Sequence, residues 1–313
     1  MYALSAVLKN NLVKMIEHSQ DYKESQTAIM FIAGAGRSGS TLVGNALEQA
    51  FQGFHVGEMW GVFDYTAEKG LHCSCGKPYP ECEFWREIFE TVFGPEWVDK
   101  FRGWDFQENL PRSKQLPFII LRRKFRRLDG AKAEFPKLEE PFEAIKTMFG
   151  RIQQTTRINI ILDSSKFSSY AWMLTQKSKY KVIVLHLVRD PRSTTNSWIT
   201  KPIPMYDTRN RMFTTRTRTE LEAVVYWIRS NMAAWLLSQL GIPYKRIRYE
   251  AYVNNPYDLT KQIADFMRKT FIPVTLDRNG LDNLKKGQIV YKERHLIGSN
   301  PGLKRQVGDV TIR

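Results

Sequence analysis

A short apolar run that feeds a glycine-rich turn and then a helix leaves few folds open to a chain. Residues 28–33 read AIMFIA, the length and composition of a buried strand. GAGRSGST (34–41) follows without a break. LVGNALEQA (42–50) then places Leu42, Ala46, Leu47 and Ala50 on one helical face. In such a turn glycines let successive N–H groups aim at one point, and the helix that follows adds its positive N-terminal end. Ser38, Ser40 and Thr41 add hydroxyl donors, and Arg37 adds a fixed charge. The segment predicts a site for a phosphate-like anion built from Gly36, Arg37, Ser38, Gly39, Ser40 and Thr41. Gly34 and Gly39 match the spacing G-x-x-x-x-G-K-[ST], but Ser40 stands where the nucleotidase lysine belongs. Without that lysine, γ-phosphate chemistry lacks a main charge.

Strand and helix patterns then alternate. GFHVGE (53–58) reads as a second strand that ends on the carboxylate Glu58, next to the glycine-rich turn in a parallel sheet. INIILD (158–163), KVIVLHLV (181–188) and KRIRYE (245–250) read as further strands. Helices are expected over 167–176, 219–240 and 259–266; in the second, Leu221, Val225, Ile228, Met232 and Trp235 recur at amphipathic spacing. The expected fold is a single α/β domain over 1–313, a P-loop-containing parallel β-sheet flanked by helices. Residues 1–27 are expected to form an amphipathic helix rather than a signal peptide. Residues 70–150 hold all three cysteines and many aromatics, and are expected to be a mostly helical insertion over the acceptor cleft. Ligands of parallel sheets sit beyond the C-terminal strand ends, and each motif found here lies at such an end.

A second basic position leaves a strand in LHLVRDPRSTTNSW (185–198). Arg189 follows the strand, Pro191 suits a first helical turn, and Ser197 lies eight positions after Arg189. A guanidinium and a hydroxyl so placed can hold a terminal phosphate. An aspartate capping the helix beside a solvated arginine would give the same sequence.

The two motifs together resemble the cofactor loops of the sulfotransferases that use 3′-phosphoadenosine 5′-phosphosulfate (PAPS). VGEMW (56–60), CSCGKPYPECEFW (73–85), LDSSK (162–166), Trp227 with Asn231, RYEAYVNNP (248–256) and HLIGSNP (295–301) resemble the bacterial and Golgi-type branch of that family. Arginine at position 37, where the cytosolic branch has lysine, fits the same branch. The resemblance implies transfer of a sulfuryl group from PAPS to an acceptor hydroxyl, leaving adenosine 3′,5′-bisphosphate (PAP). It implies that the first loop holds the 5′-phosphosulfate and that Arg189 and Ser197 hold the 3′-phosphate, with Arg248 a further candidate. Glu58 resembles the glutamate base of the protein-tyrosine sulfotransferases, and Arg37 and Lys166 are the candidate catalytic cations. His55 is the alternative base, although strand alternation puts it on the face opposite Glu58. His186 lies within an apolar strand and reads as a core residue. Asn300, Lys304 and Arg305 are placed as residues that close over the nucleotide.

Charge and cysteines bear on partners. Lys and Arg number 47 against 32 Asp and Glu, a net charge of +15. That charge draws polyanions without choosing among them. No nucleic-acid reader module is visible, so no nucleic-acid partner is expected. The basic run Arg112–Arg127, with Lys201, Arg209, Arg211, Arg216 and Arg218, points to an anionic acceptor, a saccharide or a carrier-bound group. Trp60, Phe63 and Tyr65 suit stacking on such an acceptor. A P-loop kinase with Asp163 as its Mg²⁺ ligand, and a protein that binds PAP without catalysis, remain as other readings. No apolar window is long enough to span a membrane, and three cysteines do not make a disulfide framework, so a cytoplasmic setting is expected. His72, Cys73, Cys75 and Cys82 include metal-binding residue types, but C-x-C-x6-C is poor zinc spacing and a fourth ligand would be His72 or distant. The cysteines read as packing residues or one local disulfide, and the chemistry requires no metal.

Overall fold

The computed structural model describes residues 27–68, 71–102, 104, 106–109, 136–177, 180–202, 204–206, 212–214, 217–291, 294–298 and 308–311. Residues 1–26 of the expected N-terminal helix, the run Arg112–Arg127, and Arg209, Arg211, Arg216, Asn300, Lys304 and Arg305 lie outside them.

In chain order the elements are β1 (Ala28–Ala33), α1 (Ser40–Phe51), β2 (Phe54–Gly57), α2 (Glu83–Phe93), α3 (Trp97–Arg102), α4 (Phe106–Asn109), α5 (Glu139–Thr156), β3 (Ile160–Lys166) and α6 (Ser168–Lys177). They continue with β4 (Lys181–Val188), α7 (Pro191–Thr200), β5 (Pro204–Tyr206), β6 (Met212–Thr214), α8 (Glu220–Leu236), β7 (Tyr244–Arg248) and α9 (Tyr249–Asn254). Last come α10 (Pro256–Lys269), α11 (Arg278–Lys285), β8 (Gln288–Tyr291) and β9 (Gly308–Thr311). Five strands form one parallel sheet in the order β2-β3-β1-β4-β7. Two antiparallel pairs, β5-β6 and β8-β9, stand apart from it and have no counterpart in the sequence expectations.

Every residue of β1 is buried, because helices cover both faces of the sheet. Ile29, Phe31 and Ala33 point to a core shared with α2, α5 and α6. Ala28, Met30 and Ile32 point to a second core shared with α1, α10 and α11. Burying each Ile or Phe contributes roughly 1.5–3 kcal/mol, so the central strand is held firmly from both sides. The strand ends that carry the site are thus anchored by a strand buried along its whole length.

Two expectations are revised. β2 is not the neighbour of β1; the crossover through α1 skips one position and β3 lies between them. Glu58, at the end of β2, is therefore one strand further from the glycine-rich turn than its order in the chain suggested. The second revision concerns α8. Four residues of its predicted apolar stripe, Leu221, Ile228, Met232 and Trp235, are exposed, with Leu221 at 73% and Trp235 at 49% of full exposure, and Val225 is half-buried. Its buried side chains are Ala223, Ala233 and Ala234. Small residues let α8 approach α7 and β4 closely, and the large ones are left outside. The start of α8 is fixed by a reciprocal cap between Thr219 and Glu222. No helix among the described residues is long and apolar enough to cross a membrane.

Candidate functional site

The turn after β1 is built for close approach. Gly39, the residue before α1, has φ +89, and a Cβ there would lie 2.2 Å from the Tyr249 ring. Only glycine fits. No side chain caps α1, so its first N–H groups have no partner from the usual source. Arg37 also takes a left-handed conformation, φ 69. Its guanidinium lies 5.3 Å from the Trp198 ring centroid and donates to the Lys201 carbonyl. Burial pulls the Arg37 pKa down while nearby Glu58 opposes that shift, which puts the arginine within the field of the carboxylate. Two buried polar atoms of the turn, Ser38 Oγ and Arg37 Nε, have no hydrogen-bond partner among the described residues. Such orphans are uncommon and fit a ligand with acceptor oxygens.

Lys166 and Glu58 meet at this turn. Phe31 pairs with Asp163 but Ala33 pairs with Lys166, so β3 carries one extra residue at its end. This bulge re-aims Lys166, which takes φ 63. Its Nζ donates to Glu58 Oε1 at 2.6 Å, to the Ser164 carbonyl at 2.7 Å and to Ser40 Oγ at 3.3 Å. The ion pair is half-buried, with Lys166 14% and Glu58 23% exposed. Lys166 thus spans the gap that β3 opens between Glu58 and α1. Glu58 is held from behind as well: its N–H donates to the Ile297 carbonyl at 2.7 Å.

The β4 end supplies the second basic position. Arg189 is half-buried, donates to the Arg37 carbonyl at 3.1 Å, and lies 4.7 Å from the Tyr249 ring centroid. Asp190 does cap α7, through the Arg192 N–H at 2.8 Å, yet Arg189 is not merely solvated. The Trp227 indole donates to the Arg189 carbonyl at 3.0 Å and fixes where the strand ends. Ser197 lies half-buried in the second turn of α7, and Arg248 is exposed at the end of β7, paired in register with Val188. Among the described residues no hydrogen bond joins either of them to Arg189. Trp198, next to Ser197, donates to the Gly36 carbonyl at 3.2 Å, and the Tyr226 hydroxyl accepts from the Gly36 N–H at 3.1 Å. Both contacts to the turn were missed by sequence reasoning, because neither aromatic carries a recognisable local pattern.

Three buried titratable groups are structural. His55 bonds Asn45 at 2.9 Å and Ser164 at 3.0 Å, and burial lowers its pKa to about 3. It is fully buried and both ring nitrogens are bonded, so neither is free to take a proton from an acceptor. His186 bonds Tyr244 and Asn231, and burial lowers its pKa to about 4. Asp163 is fully buried and accepts from the N–H and hydroxyl of Ser165; burial raises its pKa to about 7. The folded state therefore keeps a proton on Asp163 that the unfolded state releases near pH 4, and this group weakens folding as pH rises from about 4 to 7. Asp163→Asn is expected to shift relative stability in the variant's favour by up to about 4 kcal/mol between pH 4 and pH 8. Urea denaturation of both proteins at the two pH values checks this; parallel shifts would contradict it.

Other predicted residues divide. Trp60 stacks on Phe167 at 5.0 Å and Tyr65 meets it edge-on, near the end of β2. Phe63 is not available for stacking on a ligand, because it is buried among Phe101, Trp104 and Phe106. Arg218 lies over Trp198 and Tyr226, at 4.7 and 4.3 Å, while Lys201 is exposed. The local disulfide considered for the cysteines is not formed: Cys73, Cys75 and Cys82 are free. They gather instead around His295 rather than His72.

The arrangement can hold an anion at the β1 turn and place a carboxylate and an ammonium beside it. Compared with known protein families and with curated proteins, the chain matches none.

Proposed function

We propose that the chain is a PAPS-dependent sulfotransferase that moves a sulfuryl group to an acceptor hydroxyl. The observation that supports this most is the single polar chain Glu58–Lys166–Ser40, which joins a carboxylate to the first turn of the helix behind the anion turn. The turn fits the cofactor on its own chemistry, since an uncapped helix start and the orphaned Ser38 Oγ and Arg37 Nε all call for acceptor oxygens. In this reading the turn residues 36–41 would hold the 5′-phosphosulfate; Arg189 and Ser197, with Arg248 nearby, would hold the 3′-phosphate.

PAPS supplies the sulfuryl group when bound and requires no metal. The protein's part is positioning and charge stabilisation. Glu58 takes the proton of the acceptor hydroxyl as that oxygen forms its bond to sulfur and the bond to the 5′-phosphate breaks. Lys166 holds Glu58 in place and, with Arg37, offsets charge that builds on the departing side. Trp60, beside Glu58, offers a face to a saccharide ring or an acyl chain. The acceptor is placed as a saccharide or another natural product, with a carrier-bound hydroxyl as the alternative. The kinase reading is weaker, because Asp163, its one candidate metal ligand, is fully buried and bonded to Ser165.

Calorimetric titration with PAP, AMP and ATP tests the proposal. PAP is expected to bind tightly and AMP weakly. Arg189→Ala is expected to weaken PAP about 10–100-fold, the loss of a charge-assisted hydrogen bond, while changing AMP by less than about threefold. Equal losses would show that Arg189 does not read the 3′-phosphate. A preference for ATP with Mg²⁺ would replace the sulfotransferase reading with the kinase one.

A further inference from the structure

The three cysteines and His295 belong to no part of the site above. Cys73 and Cys75 lie in a tight turn closed by Cys73 N–H to the Lys77 carbonyl and Gly76 N–H to the Cys73 carbonyl, both at 2.9 Å. Cys82 immediately precedes α2. His295 comes from far along the chain and stacks on Phe84 at 4.9 Å, while its carbonyl accepts from the Trp85 indole at 3.0 Å. The three Sγ atoms and the imidazole nitrogen all lie within 4.8 Å of one another. His295 Nδ1 is 3.3 Å from Cys82 Sγ and 3.8 Å from Cys73 Sγ.

From this geometry we propose that Cys73, Cys75, Cys82 and His295 form a structural zinc site. A tetrahedral zinc with Zn–S near 2.3 Å and Zn–N near 2.0–2.1 Å sets its sulfur and nitrogen ligands about 3.6 Å apart, between the two observed distances. The alternatives fit less well. No two of the sulfurs are bonded, and Cys73 and Cys82 are wholly buried, where thiols gain little from one another. Four protein ligands fill the coordination shell, so the metal has no open position and takes no part in chemistry. The surroundings are built for orientation: Ser74 Oγ donates to the Arg294 carbonyl at 2.5 Å and accepts from the Leu296 N–H at 2.7 Å, which fixes the chain on either side of His295.

What the metal would hold is specific. Ile297, two residues after His295, donates to the Val56 carbonyl at 2.9 Å and accepts from the Glu58 N–H. The zinc therefore ties the cysteine turn to the segment that supports the end of β2. This holds whether or not the protein is a sulfotransferase.

Elemental analysis of the purified, tag-free protein after exhaustive dialysis is the test. About one zinc per chain is expected, falling below about a tenth in Cys75→Ser and in His295→Gln. Replacement by Co²⁺ should give the intense visible bands of a tetrahedral site together with thiolate-to-metal absorption. A thiol reagent should leave the cysteines unreacted in the native protein and titrate them once a chelator is added, with a lower melting temperature. Both readouts use the unmutated chain and do not depend on the variants folding. Folded protein with no bound metal and no stoichiometric uptake of Zn²⁺ or Co²⁺ would overturn the assignment. So would a disulfide between any two of the three cysteines in protein isolated under reducing conditions.

Discussion

Glu58→Gln is expected to lower kcat by about 10²–10⁴-fold, the usual contribution of a positioned general base. The substitution is nearly isosteric. A glutamine oxygen can still accept from Lys166 Nζ, so the contact now 2.6 Å long keeps its geometry. What is lost is the capacity to take a proton. PAP affinity should stay within about threefold of the parent, because Glu58 reaches the turn through Lys166 and the glutamine keeps that contact. Sulfuryl transfer assayed beside calorimetry would decide the matter. Turnover within about fivefold of the parent would remove Glu58 from the role of base and direct attention to another group on the same rim. Unchanged PAP binding with no turnover in the parent protein would favour a PAP-binding protein without catalysis.

Lys166→Met should be nearly as damaging, with kcat lowered about 10²–10³-fold, the scale seen when one preorganised donor is removed from a developing charge. Methionine keeps the length of the aliphatic stem but leaves the half-buried Glu58 carboxylate without its cation. The loss should appear in kcat more than in KM for PAPS; an effect on KM alone would mean that Lys166 acts only in ground-state binding. Lys166→Arg is not expected to rescue. Three acceptors lie within 3.3 Å of one ammonium, a geometry suited to a compact charge and not to a planar fork. Since Lys166 touches Glu58, the double variant should fall short of the summed losses, with a coupling of about 0.5–3 kcal/mol. Simple additivity would indicate that the contact has no functional weight.

How much of this was legible in the sequence depends on how local each feature is. The succession β1–turn–α1 was legible, with β1 at its expected bounds and α1 starting two residues early at Ser40, because an apolar run, glycines and a helical repeat lie side by side. The strand order was not, since the position a crossover skips is set by packing of α1 and α5 against opposite faces. Nor was the bulge that turns Lys166 onto the rim: Ser164 and Ser165 look like an ordinary strand end. The stripe on α8 misled in the opposite sense. Its large apolar residues gave the period, while the buried face was made of alanines that carry no such signal. His295 was beyond reach as a partner of the cysteines, because 213 positions separate it from Cys82 and one histidine has no spacing of its own.

The hydrogen bond from Glu58 to Ile297 has a consequence for the order in which the protein becomes competent. A chain emerging from the ribosome has all five strands of its sheet once Arg248 is free, and with them the turn after β1 and Arg189. Ile297 lies 297 − 248 = 49 residues later. At roughly 5–20 residues per second, that is an interval of about 2–10 s. During it the carboxylate at the end of β2 lacks the backbone support that Ile297 gives it. Glu58 is thus fixed only after the sheet that carries it has been made, and a chain stalled between the two leaves this carboxylate on a strand end without the hydrogen bond to Ile297.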